Sequence, residues 1–349
     1  MDKKFLEEIL NAYSPSGQEE NAITVWNSWC SKLGLKHYYQ DKIGNSAWSW
    51  GDGPIKIMIS GHLDEIAMAV GNITEEGYLV LKNMAGIDKK VLPGSQVVIL
   101  GDKGPVKGIV QSLAIHLQHA EKVIDKVSEI HELKVDIGCE NKEEVNEAGV
   151  WPGCLVVFER NINLDFGKNK IYGNALDDKI GVFCVYEVLR RLTTEDNGPS
   201  LKNKITVIGV GAVQEESGLR GMTVASHNLN PDISIDLDVT HASNGGMYST
   251  DKYGDVKLGK GTVIEFGQDK SRRLAKDMIK IAKENNIPFQ TSVARCGGTN
   301  TDAIQLYSAD CETMLLSLPL TSMHTPNETM NWIDIEATIN LLYKTIQAV

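Results

Sequence analysis

Cysteine is scarce in this chain of 349 residues, and it is never clustered. Cys30, Cys139, Cys154, Cys184, Cys296 and Cys311 contain no CxxC and no close pair, so reduced, mostly buried thiols are expected rather than a disulfide framework. Long apolar runs are also missing: nothing approaches the roughly 18 residues of a membrane span. The opening segment, Met1-Asp2-Lys3-Lys4-Phe5-Leu6-Glu7-Glu8, is charged and helix-like and lacks the apolar core of a signal peptide. A cytoplasmic protein that does not engage membranes is the expectation. Positive charge is in deficit, with 35 Lys and Arg against 46 Asp and Glu and a net charge of -11. That argues against a nucleic-acid surface, which needs clustered cations. Internal repeats and low-complexity segments are absent as well.

What remains is an ordinary globular composition, 42% hydrophobic and 23% charged with 32 glycines, in a chain long enough for one large domain and a smaller one. The pattern predicts helices over 19–33, 178–192, 271–285 and 332–347 from their apolar spacing. Apolar, β-branched runs at 55–60, 205–213, 233–238 and 313–318 read as strands. Between about Ala67 and Phe158 the texture changes to short alternating segments such as Tyr78–Leu81 and Gln96–Leu100, punctuated by glycine, with a polar helix-like stretch at 141–147. The expected fold class is therefore α/β, an α/β sandwich with a mixed central sheet formed by 1–66 and 160–349, interrupted by a small β-barrel-like insertion at 67–159.

Histidines and acids gather at the ends of the strand-like runs, where open α/β sheets bind ligands. His62 and Asp64 lie at i and i+2, a spacing that places two strand residues on one face. A carboxylate there would orient a ligating imidazole, although a hydrogen-bonded core histidine explains one His equally well. Asp177-Asp178 precedes a helix; one Asp suits an N-cap, and the other is free to bridge two metals, a role read for Asp177. Glu215-Glu216 follows an apolar strand. Adjacent acids repel unless cations offset them, so one suits metal binding while its neighbour reaches a water. Asp236 and Asp238 end another strand, and spacing alone leaves either as a ligand. His324 sits in a Met-His-Thr-Pro loop, while His116, His119 and His241 are competing imidazoles. Two imidazoles, several carboxylates and a spare glutamate suit two divalent ions sharing a carboxylate.

These segments resemble, in order and nearly end to end, the M42 family of metallo-aminopeptidases, the group of glutamyl and lysyl aminopeptidases and tetrahedral TET enzymes. The matching stretches are Gly-His-Leu-Asp-Glu at 61–65, Ala-Leu-Asp-Asp at 175–178, Val-Gln-Glu-Glu-Ser-Gly-Leu-Arg-Gly at 213–221, Asp-Val-Thr-His at 238–241 and Met-His-Thr-Pro at 323–326. Val135–Gly138 and Gly297-Gly298-Thr299 are also similar to family segments, and the latter is expected on the substrate side. The resemblance implies two divalent ions per subunit, zinc first and cobalt or manganese as alternatives. One is held by His62, Asp177 and Asp238, the other by Asp177, Glu216 and His324. It prefers Asp238 over Asp236, makes Glu215 the general base with Asp64 beside it, and implies that the peptide bond after Asp177 is cis. It further implies short peptide substrates, an insertion that dimerises the chain, and dimers that assemble into a hollow dodecamer.

The chain departs from the pattern in three places. Lys179 stands where many relatives carry Arg, Ala242–Gly246 replaces a stretch that often holds Asp and Pro-Gly, and Asn300-Thr301-Asp302 follows Gly-Gly-Thr. The last two bear on side-chain preference. Another two-metal amide hydrolase, a deacylase or carboxypeptidase, is the alternative reading. A glycosidase would need a pair of metal-free carboxylates, and a non-catalytic scaffold would have no use for a complete ligand set.

Overall fold

The computed structural model describes residues 1–293 and 298–349. Two compact units divide it: Met1–Glu65, Ile162–Met323 and Asn327–Val349 form the first, and Ile66–Asn161 with His324–Pro326 the second. The first unit opens with α1 (Lys3–Asn11), capped by the Asp2 carboxylate, and α2 (Glu20–Lys32). Strands β1 (Lys36–Gln40), β2 (Ser46–Gly51) and β3 (Ile55–His62) follow.

The chain then leaves for the second unit. Here β4 (Met68–Ile73), β5 (Leu79–Asn83), β6 (Gln96–Gly101), β7 (Gly104–Val110), β8 (Lys134–Asp136) and β9 (Leu155–Phe158) close a barrel in the order β4-β5-β8-β7-β6-β9, every pair antiparallel. Alternate residues such as Val97, Ile99, Leu79 and Leu81 fill it, as the period of two dictates. Closure removes exposed sheet edges. Short helices α3 (Ile115–Ala120) and α4 (Lys142–Glu147) sit in its connections, and the Asn141 side chain caps α4 by accepting from the Glu144 amide.

Back in the first unit come β10 (Asn163–Phe166), β11 (Lys170–Gly173), α5 (Leu176–Thr194), α6 (Gly198–Lys204), β12 (Ile205–Ala212), α7 (Arg220–Leu229), β13 (Ile233–His241) and α8 (Thr250–Tyr253). The chain ends with β14 (Thr262–Phe266), α9 (Arg272–Glu284), β15 (Phe289–Val293), α10 (Asn300–Tyr307), β16 (Glu312–Leu320), β17 (Glu328–Asn331) and α11 (Trp332–Ala348). Eight strands form one mixed sheet in the order β1-β2-β12-β3-β13-β16-β14-β15. The parallel members β12, β3, β13 and β16 occupy its centre. As expected, the fold is α/β with a mixed central sheet and a closed, all-antiparallel barrel.

The pleat decides what each face carries. Ile57, Ile59, Ile235, Leu237, Met314 and Leu316 point to a large core shared with α1, α5, α9 and α11. The α5 helix is buried on nearly all sides, as a helix between sheet and outer helices must be. On the other face Met58, Ile208, Val210 and Ala212 pack against Met222, Ala225 and Ile304 from α7 and α10. Toward the carboxyl ends of the strands this second face turns polar. It carries Ser60 and His62 on β3 and Asp236 and Asp238 on β13. The described cysteines are free, with Cys30, Cys154 and Cys184 buried; Cys296 lies outside the described residues.

Candidate active site

His62 ends β3, and two residues of alternation place it on the face of Asp236, which opposes Ser60 across the β3–β13 pairing. His62 is 1% exposed, Asp177 7% and Asp238 6%, and each offers a donor atom within 4.8 Å of the others. The closest pair is His62 Nε2 and Asp177 Oδ1 at 3.2 Å. Asp177 and Glu216 also bring carboxylate oxygens within 4.8 Å of each other. Asp177 therefore stands in reach of His62 and Asp238 and also of Glu216.

Each of these side chains is held by something beneath it. The Leu176 and Asp177 amides donate to Glu328 Oε2 at 2.8 and 3.2 Å, and the peptide bond between Asp177 and Asp178 is cis. Asp178 is structural: its Oδ1 accepts from the Gly181 amide at 3.0 Å, capping the regular part of α5, which begins after the non-helical Asp177 and Asp178, and its Oδ2 accepts from the His62 amide at 3.3 Å. A Cβ on Gly181 would stand 2.2 Å from that carboxylate, so glycine is required there. The loop after β12 runs through Gln214 with φ 54°, and of its two glutamates only Glu216 falls in a donor group.

Asp64 has a role that the strand spacing did not indicate. The strand stops at His62, so the shared-face argument does not apply. The closer contact of His62 Nδ1 is the Asp64 main-chain oxygen at 3.1 Å, with the carboxylate at 3.5 Å. The Asp64 carboxylate instead accepts from the Glu215 amide (3.0 Å) and the Glu216 amide (3.1 Å). It is the seat of the two glutamates, and it orients the imidazole mainly through its backbone.

Asp236 lies on the same face but outside the grouped donors. It is fully buried, accepts from the Ser60 hydroxyl and belongs to neither donor group. His324 groups with the second unit. There Gly86 O meets its Nδ1 at 2.7 Å; a carbonyl oxygen only accepts, so Nδ1 is the donor in that contact. A Cβ on Gly86 would approach that ring to 2.8 Å. Thr299 caps α10 by accepting from the Thr301 amide. Gly298 precedes it, and Gly297 lies outside the described residues.

The electrostatics show what this cluster wants. Desolvation pushes the Glu215 carboxyl up to about 8, with Glu216 and Asp64 adding to the rise. Burial, then repulsion from Glu215 and Asp177, holds Asp238 well above its usual range, and burial does the same for Asp178. Burial alone would depress His62, yet Asp177 and Asp64 hold its pKa well above the ordinary value. Closely packed, desolvated acids with one imidazole among them are costly without cations. His and carboxylate oxygens are the donors that zinc-like ions take. The residues present thus fit divalent metal.

The contacts of other supporting residues were not visible in the sequence. Glu19 accepts from the Gly17 amide at 2.6 Å and the Gln214 amide at 3.1 Å, bracing the glutamate loop, and burial raises it to about 7. Lys179, fully buried, donates to Ala12 O (2.7 Å) and Glu65 Oε1 (3.0 Å). Glu328 lies in a loop-to-strand segment whose composition carries no signal.

An α/β sheet with an inserted barrel, and a buried acid-and-imidazole cluster at its strand ends, define a hydrolase of the metal-dependent kind. The comparisons make the class specific. The family profile for M42 glutamyl aminopeptidase matches residues 46–341, and the chain belongs to that family. It is an enzyme of peptide-bond hydrolysis, an aminopeptidase. It is similar to the lysyl aminopeptidase of Pyrococcus furiosus, 29% identical over 86% of this chain and 84% of the relative. Among solved structures, the TET aminopeptidase of a marine sediment archaeon, Thaumarchaeota archaeon SCGC AB-539-E09, superposes with a TM-score of 0.91 at 28% identity, covering 99% and 97% of the two chains. The TET1 peptidase of Pyrococcus horikoshii, which assembles into a tetrahedron or a large octahedral shell, gives 0.85 at 30% identity with 98% of both chains covered. Members of this family depend on metal, and the donor groups above are where this chain would hold it.

Proposed function

We propose that this chain removes N-terminal residues from short peptides with two divalent ions, zinc first and cobalt or manganese as substitutes. His62, Asp177 and Asp238 hold one ion, Asp177, Glu216 and His324 the other, and Glu215 is the general base. The single observation that carries the reading is the buried donor set of His62, Asp177 and Asp238, surrounded by further desolvated acids. Two ions, when bound, acidify a water and polarise the scissile carbonyl. The chain's own residues do the rest. Glu215 takes the proton from the water and passes it to the departing amine, while Asp64 and Glu19 fix the loop that carries it. Asp177 would be the carboxylate shared by the two ions, on a backbone held by Glu328. Excess carboxylate near the site offers the free α-amine of a substrate its counter-charge, which favours exopeptidase action.

The same reading makes the barrel at 67–159 a dimerisation domain and dimers the units of a dodecameric shell, in a cytoplasmic protein. It is supported by the likeness to assembling TET peptidases. The test is metal content beside turnover. Wild type should bind two equivalents, and Glu215→Gln should bind the same two while losing at least about a hundredfold in kcat. Near-normal turnover in Glu215→Gln would show that another group is the base.

A further inference from the structure

The polar face of the sheet continues past the metal donors. Asp238 is opposite Ser317 on β16, and Ser317 is opposite Val263 on β14. Two residues along β14, and so on the same face, stands Glu265, which pairs with Ser292 on β15. Glu265, Ser292 and Ser317 line one cavity of about 140 Å³ together with Thr240, Lys270 and Asp302. Thr299, at the α10 cap, also borders it.

Glu265 is 1% exposed, and its Oε2 has no hydrogen-bond partner among the described residues. A carboxylate oxygen that has given up water without gaining a partner is costly, even where the Ser317, Ser292 and Thr240 hydroxyls serve the same carboxyl group. Burial accordingly raises its pKa to about 7, against the opposing pull of Ser317 and Lys270. The Lys270 ammonium pairs with Asp269. Among the described side chains the cavity therefore holds three carboxylates, Glu265, Asp269 and Asp302, against the one ammonium of Lys270. Two strand spacings, about 10 Å, separate the strand of Asp238 from that of Glu265. A long side chain extending from a residue held at the donors spans that interval; a short one does not.

We propose that this cavity receives the side chain of the substrate's N-terminal residue and selects long cationic side chains, lysine and arginine, with Glu265 as the acceptor at its end. The assignment rests on the aminopeptidase reading above. The unpartnered oxygen of Glu265 gains a cation of its own, Lys270 being paired with Asp269, and Asp302 adds another carboxylate to the lining.

The test compares zinc-loaded wild type, Glu265→Gln and Asp302→Asn on lysyl-, leucyl- and glutamyl-p-nitroanilide. Wild type should favour the lysyl compound. Glu265→Gln keeps the shape of the side chain and should lower kcat/KM for the lysyl compound at least about tenfold relative to the leucyl one. The loss should appear mainly in KM, and Asp302→Asn should shift the ratio in the same direction. A wild-type preference for the glutamyl compound, or equal losses on lysyl and leucyl compounds in both variants, would overturn the proposal. Leucyl cleavage that survives in the variants keeps the aminopeptidase reading in either case. Failure of wild type to cleave any of the three with metal would remove both.

Discussion

Replacing Asp64 by Asn tests how the glutamate loop is held. The Asp64 main-chain oxygen near His62 Nδ1 survives any substitution, so the imidazole should keep its tautomer. What changes is the seat of Glu215 and Glu216. The carboxylate accepts one amide on each oxygen, at 3.0 and 3.1 Å, in a fully buried position. An asparagine offers one acceptor oxygen and one NH2, so one amide must face a donor and the other loses its charged partner. Hydrogen bonds to a buried charge contribute about 1.5–3 kcal/mol each and neutral ones about 0.5–1.5. The expected loss of stability is therefore about 2–5 kcal/mol, read from urea unfolding. The displaced loop should also lower kcat/KM by about 10–100-fold, the usual scale for a residue that orients a catalytic group. Asp64→Asn within about 0.5 kcal/mol and twofold in rate would refute the assignment of this carboxylate as the seat of the loop.

Three further outcomes follow from the same contacts. Lys179→Met should cost about 3–5 kcal/mol, because it leaves Glu65 buried without its cation. The double variant with Glu65→Leu should recover part of that in thermal unfolding, and no recovery would mean that the pair is not coupled. Gly221→Ala should unfold the chain or shift the 213–221 loop, since its Cβ would lie 1.9 Å from the Val213 oxygen; wild-type melting would contradict this. In chelated protein, Glu19 and Glu265 each have a folded pKa of about 7 against an ordinary 4.5. The native state thus holds protons that the unfolded chain has released, so the contribution of these groups falls as pH rises from about 4.5 to 7. Melting temperature should be higher at pH 6 than at pH 8, and Glu265→Gln should flatten that slope; a rise toward pH 8 carried by these groups would reverse the sign.

Much of this was legible in the chain because the central strands are buried on both faces and read as uninterrupted apolar runs, and because their polar ends stand out against them. Ile55–His62, Ile205–Ala212 and Glu312–Leu320 are such runs. The edge strands were not legible. Lys36–Gln40 and Phe289–Val293 bury little, so they carry no hydrophobic period for a pattern to detect. The donors themselves were visible as residue types at strand ends, but Asp238 could be separated from Asp236 only by resemblance. Alternation puts both on one face, and the distinction lies in depth: Asp236 reaches Ser60, and Asp238 reaches His62 and Asp177. The supporting acids were hidden for a different reason. Glu19, Glu328 and Asp64 act by accepting backbone amides from segments about 150 to 195 residues away, and no local spacing encodes a partner at that separation.

The central claim is that this chain cleaves peptides from a free amino end with metal bound by its acid-and-imidazole cluster. The most direct measurement is hydrolysis of free aminoacyl-p-nitroanilides and their N-acetyl counterparts by protein stripped of metal and then reloaded with zinc, cobalt or manganese. The account predicts cleavage of the free-amine compounds alone, and only after reloading. Equal or faster cleavage of the acetylated compounds would contradict it and point to a different two-metal amide hydrolase.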